Sequence, residues 1–228
     1  MIPKTERIES GIQGLDRLIQ GGFVKGSTNL IAGTTGTLKT IFCLQYVWHG
    51  VRNGQNGVYI TLEQPAEDIL AEAMQFGMDF EPYIRQKKCV VEHIFPRTFD
   101  DLDFEIFKRI KEVNASRFVL DSLPLVALAS RGASAEELRA KIFDLLMRLK
   151  KYGVTSLIVG EIPEDSKALS RFGFEEFVVD SVIVMHYLEY AAGGTPRSLV
   201  IRKMRRTDHG TDIYPIEVTS KGIVVKKG

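Results

Sequence analysis

With two cysteines in 228 residues, the chain has no material for a disulfide framework. Cys43 and Cys89 lie in apolar runs without metal-ligand spacing, so both read as buried free thiols, which suits a reducing cytoplasm. Histidine is scarce too: His49, His93 and His186 fall in apolar or helical settings and show no zinc-like spacing. No apolar stretch comes near the ~18 residues of a membrane span. Met1-Ile2-Pro3-Lys4 passes at once into charged sequence rather than a secretory leader. A membrane partner is therefore not expected. Nor is there a strong charge of either sign: at +1 the chain as a whole makes no case for nucleic-acid binding. Repeats, linkers and segments polar enough for disorder are also missing, so residues 1–228 are expected to form one domain.

What is present is a hydrophobic content of 44%, enough for a core, arranged as apolar runs that alternate with helical periods. Runs at 28–32, 57–62, 88–94, 117–121 and 154–160 read as strands. Between them, Pro65 opens a helix that ends near Phe76 before Gly77, and residues 100–114 form another with Leu102, Phe104, Phe107, Ile110 and Val113 as its apolar positions. Ser134 and Glu137 make a capping box for a helix through Lys151, whose core face is Leu138, Ile142, Leu145, Leu146 and Leu149. From Val182 onward, strands joined by polar or Gly-rich turns predict an antiparallel extension. The fold class is α/β, a mostly parallel sheet flanked by helices with that C-terminal extension.

The most informative segment is Gly33-Thr34-Thr35-Gly36-Thr37-Leu38-Lys39-Thr40, between a strand and the helical run from Ile41 to Trp48. Backbone N–H groups of such a loop point at phosphates, Lys39 reaches the β and γ oxygens, and the Thr40 hydroxyl ligates magnesium. Leu38 stands where the pattern has glycine. A side chain there restricts the loop and holds Lys39 off line, so Leu38→Gly is expected to raise turnover. Asp121 ends an apolar strand about 80 residues on, where a carboxylate would hold the magnesium shell. Glu63 follows another strand; it would polarise a water aimed at the γ-phosphate, or else simply favour an exposed helix start. Gln64 beside it orients but takes no proton. Trp48 and Tyr46 read as helix packing rather than a nucleotide stack.

Residues 197–228 hold eight Lys/Arg against three Asp/Glu, while the other 196 residues balance at minus four. Within them, Lys203 and Arg205 alternate onto one face of a strand, with no evident anion for either in an isolated chain. They would deliver two charges to one anion across a subunit boundary, or else defend a sheet edge.

Ile8-Glu9-Ser10-Gly11-Ile12-Gln13-Gly14-Leu15-Asp16, the phosphate loop, Thr61-Leu62-Glu63, Leu120-Asp121-Ser122, the run from Ser170 to Val184 and the run from Ser198 to His209 together resemble KaiC-type ATPases of the RecA superfamily. The likeness covers nearly the whole chain and implies a RecA-like P-loop core carrying ATP and Mg2+. It further implies a homo-oligomer, a hexameric ring with nucleotide sites shared between subunits, acting in signalling or regulation with a regulatory protein as partner. By matching position, Gly36, Thr37, Leu38, Lys39, Thr40 and Ile41 would hold the phosphates. Lys203, Met204, Arg205, Thr207 and His209 would approach from the next subunit. Glu63 matches the first of a glutamate pair assigned to water activation; Leu38 and Gln64 depart from the family.

The RecA-type DNA loops would be 124–134 and 163–173, where Arg131, Lys167 and Arg171 are offset by Glu164 and Asp165 with little aromatic surface. Nucleic-acid binding is open but not favoured. Three functions stay open: a ring ATPase, an ATP-gated module that hydrolyses slowly or not at all, and a recombinase paralogue modulating DNA repair.

Overall fold

The computed structural model describes residues 5–130, 132–164, 166, 168–187 and 196–226. Arg131, Asp165 and Lys167, expected in the two candidate DNA loops, lie outside them. A two-stranded ribbon, β1 (Arg7–Ile8) with β2 (Phe23–Val24), precedes β3 (Thr28–Gly33), α1 (Lys39–Arg52), β4 (Gly57–Thr61), α2 (Ala66–Gln75), α3 (Glu81–Arg85) and β5 (Cys89–His93). Then come α4 (Phe99–Val113), β6 (Arg117–Asp121), α5 (Val126–Ala129), α6 (Ala135–Lys151), β7 (Thr155–Glu161), α7 (Glu175–Val178), β8 (Ser181–Tyr187), β9 (Arg197–Met204), β10 (Tyr214–Thr219) and β11 (Gly222–Val225). The main sheet has nine strands in the order β11-β10-β9-β8-β3-β7-β6-β4-β5.

Each central strand is apolar on both sides because helices cover both sheet faces. On β4, Tyr59 faces one core with α1, while Val58 and Ile60 face the other with α4 and α6. Val119 against Phe118 and Leu120 on β6, and Ile31 against Leu30 and Ala32 on β3, divide the same way. Each such side chain contributes about 1.5–3 kcal/mol on burial. The expected capping box forms: Glu137 N–H donates to Ser134 Oγ at 3.2 Å and Ser134 N–H to Glu137 Oε2 at 2.8 Å. Thr98 and Asp101 make a second one for α4.

Two expectations need correction. Phe104 is 64% exposed. It lies two residues after buried Leu102, roughly 200° around the helix, and Ile106 takes the inward place. The antiparallel extension also begins later than Val182. β8 runs parallel to β3, from Asn29↔Ser181 to Gly33↔Met185, so it starts again at the end of the sheet where β3 begins. Only β9, β10 and β11 are antiparallel additions.

Candidate functional site

Parallel pairing makes β3, β7, β6 and β4 finish at one end of the sheet, which is where ligands sit in open α/β sheets. The phosphate loop lies there, between β3 and α1. Gly33 has no room for a side chain: a Cβ would come within 2.5 Å of Met185 O and 2.7 Å of Thr37 Oγ1. Gly36 has open space but φ of +74°, and Leu38, the residue before α1, has φ +72° and ψ 28°. With Thr37 between them on the other side of the map, the backbone alternates in the manner of an anion-binding nest. Leu38 thus takes up the left-handed conformation a glycine would have there, and packs against the core on the α1 side.

Lys39 Nζ donates to Gly33 O at 3.0 Å and Thr34 O at 2.7 Å. Burial lowers its pKa, against the pull of Asp121, Glu161 and Glu63. Thr40 Oγ1 donates to Asp121 Oδ2 at 3.0 Å, and Tyr59 donates to the same oxygen at 2.6 Å. Burial pushes the Asp121 carboxyl up, while the bonds from Tyr59 and Thr40 push it down; the net direction is up. Glu63 is exposed and accepts from Ser122 Oγ. Its turn is set by Thr61, whose Oγ1 accepts from the Glu63 and Gln64 N–H groups at 3.3 and 3.1 Å.

The donor set fits magnesium. That ion takes one or two carboxylates together with substrate phosphates rather than an all-protein cage. Thr40 and Asp121 supply a hydroxyl and a carboxylate in contact, and no group of three or more His, Cys, Asp or Glu forms a cage elsewhere among the described residues.

The other expected residues are not here. β9 is antiparallel to β8, so it begins at the loop end and finishes at the opposite end, with Lys203 beside Val182. Arg205 falls in the turn after the strand, not on it. Neither cation lacks a partner within the chain. Lys203 Nζ donates to Glu176 O at 2.9 Å and Val179 O at 2.7 Å, and Arg205 lies 3.7 Å from Asp180. Met204 is buried. Thr207 Oγ1 accepts from Arg7, and His209 Nδ1 lies 3.0 Å from Gly210 O.

Several residues at the loop end were missed from sequence. Arg197, at the start of β9, donates from Nε to Gly36 O at 2.9 Å. Glu161 ends β7 beside Gly33 and accepts from Arg171 at 2.8 Å. Tyr59 was legible only as a phenol inside an aliphatic strand. Trp48 and Tyr46 pack as expected, Trp48 on Phe80 and Tyr83, and Tyr46 on Phe23 and Arg117. Cys43 and Cys89 are buried free thiols.

A parallel sheet with this loop between a central strand and its helix, and an aspartate closing a strand two places away, defines a P-loop nucleoside triphosphatase with a RecA-like core. Comparison with known proteins takes this further. The family profile described as "ATPase: KaiC" matches residues 8–228. A UPF0273 protein of Thermotoga maritima is 31% identical, covering 96% of each chain. Circadian clock protein KaiC3 of Synechocystis is 34% identical over 96% of this chain and 45% of its own, so the chain spans about half the length of that relative. The crystal structure of a KaiC-like protein from Pyrococcus horikoshii OT3 superposes with a TM-score of 0.88 at 38% identity, over 98% of this chain and 100% of that one. The chain belongs to the KaiC-type ATPase family.

Proposed function

We propose that this chain is a single-domain, magnesium-dependent ATPase that works as a ring, with each nucleotide held between two subunits. The observation that carries the reading is the separation of the site residues. Gly33 to Ile41, Asp121 and Glu63 converge where the parallel strands finish, while Lys203 to His209 lie where those strands begin. One chain cannot bring both groups to one phosphate. A neighbour stacked head to tail can, and a closed ring of six is the arrangement proposed.

Loop N–H groups and the free N-terminus of α1 would cradle the phosphates, and Lys39 would leave the Gly33 and Thr34 carbonyls for the β and γ oxygens. Bound magnesium would neutralise charge on those oxygens, held by Thr40 and, through water, by Asp121. Glu63, restrained by Ser122, would orient and deprotonate the attacking water. Arg205 and Lys203 of the next subunit would steady charge at the γ-phosphate. We place the ring in the cytoplasm, in signalling or regulation with a regulatory protein partner. A slowly hydrolysing, ATP-gated module is the second reading, favoured by Gln64, which takes no proton and is exposed beside Glu63. Nucleic-acid binding is not favoured: Arg171 is already engaged by Glu161.

Mixing tests the shared site. Glu63→Gln and Arg205→Ala proteins are each expected to be nearly inactive alone. Reassembled mixtures recover part of the activity, because some interfaces pair an intact Glu63 with an intact Arg205. Mixtures that reassemble without recovery overturn the reading.

A further inference from the structure

Asp121 receives more support than a metal-holding carboxylate strictly needs, and the surplus comes from one residue. Tyr59 is fully buried between β4 and α1, and its hydroxyl lies 2.6 Å from Asp121 Oδ2. Thr40 donates to that same oxygen at 3.0 Å, and among the described residues no donor reaches Oδ1. Strand register explains the meeting: Tyr59 stands beside Val119 and Thr61 beside Asp121, so the phenol slants two residues along the sheet to arrive beneath the carboxylate.

We infer that Tyr59 is a positioning residue for the metal, pinning Oδ2 of Asp121 so that Oδ1 is the oxygen presented to the magnesium shell. A carboxylate on one soft torsion, held only by the Thr40 hydroxyl, turns whenever Thr40 moves. Thr40 would also have to offer its oxygen to the metal. The phenol supplies a second, metal-independent restraint, and its ring is fully buried in the core that α1 covers. Outer-shell partners of this kind set the orientation of a ligand and are worth about 10–100-fold in metal affinity.

The inference rests on Thr40 and Asp121 being the metal site, and the experiment separates the two. Tyr59→Phe keeps the ring and removes only the hydroxyl. ADP binding is measured by calorimetry in EDTA and across a magnesium titration, for wild type, Tyr59→Phe and Asp121→Asn. The expected result is unchanged ADP affinity for Tyr59→Phe in EDTA, which also reports an intact fold, with apparent magnesium affinity weaker by about 10–100-fold. Turnover lost at low magnesium should return at high magnesium, whereas Asp121→Asn should lose magnesium dependence altogether. Magnesium affinity equal to wild type overturns the inference, as does an equal loss of ADP affinity with and without metal, the mark of a packing role. If wild-type affinity for ADP is the same in EDTA and magnesium, the metal site itself fails and the inference goes with it.

Discussion

The two ends of the main sheet hold similar chemistry in opposite conditions. Where the parallel strands finish, Lys39 and Thr40 of α1, Asp121 of β6 and Glu63 after β4 meet around one loop, with the α1 N-terminus left open. Where the strands begin, Lys203, Arg205 and Thr207 are already occupied by their own chain. Lys203 sits on two carbonyls, Asp180 faces both Arg205 and Lys150, and Arg7 holds Arg206 O and Thr207. The first end needs only a ligand. In the proposed ring, the second would exchange these partners before serving a neighbour, and its contribution would depend on assembly while that of the first would not.

The comparison breaks most directly at Lys39. Lys39→Ala should abolish ATP binding, because Lys39 is the loop's own charge for the β and γ oxygens and Arg197, the other cation at the loop, is engaged on Gly36 O. Calorimetry showing unchanged affinity would remove the phosphate-loop reading. Arg205→Ala should lower turnover by ~10³-fold or more and leave the affinity of the isolated subunit for ATP nearly as it was. A parallel fall in that affinity would place Arg205 in its own subunit's site.

Asp180 probes the braced end. Burial pushes its carboxyl up, but the bonds from Lys150 and the Thr28 N–H outweigh burial, and the net direction is down. A carboxyl lowered on folding stabilises the protein above its unfolded value of about 3.9 and ceases to as pH falls through the lower folded value. Asp180→Asn should cost about 1–2 kcal/mol near neutrality, discounted for the half-exposed Arg205, and flatten that part of the acid limb. Denaturant midpoints against pH would show it; an unchanged acid limb would mean the network carries no net stability.

The smallest effect is expected at Leu38. The sequence alone argued that glycine there would raise turnover. With Leu38 already in the left-handed region, a conformation costing about 1–2 kcal/mol for a side chain, Leu38→Gly relieves strain but loosens the unfolded chain by a similar amount. Stability is then nearly unchanged, and because Leu38 already holds the backbone conformation a glycine would take, turnover within about threefold of wild type is expected. A tenfold rise in steady-state rate would restore the earlier view.

Legibility followed distance along the chain. The place of the phosphate loop between strand and helix, the capping box at Ser134 and the core face of α6 are written within a turn or two of sequence, and all three appear as read. Tyr59 and Asp121 are 62 residues apart, and Arg197 is 161 from Gly36. No local period connects such pairs. The direction of β8 was misread for the same reason: its own residues alternate alike whether its neighbour runs parallel or antiparallel.

By itself, the sequence determined that this chain is an α/β protein with a phosphate loop, since periodicity, capping and loop chemistry act between near neighbours and survive in any arrangement of the elements. Which oxygen of Asp121 is held, which strand brings Arg197 to the loop, and that Lys203 and Arg205 face away from their own loop were decided only by the tertiary structure. Strand order and direction set those distances, and they come from burying both faces of the whole sheet at once.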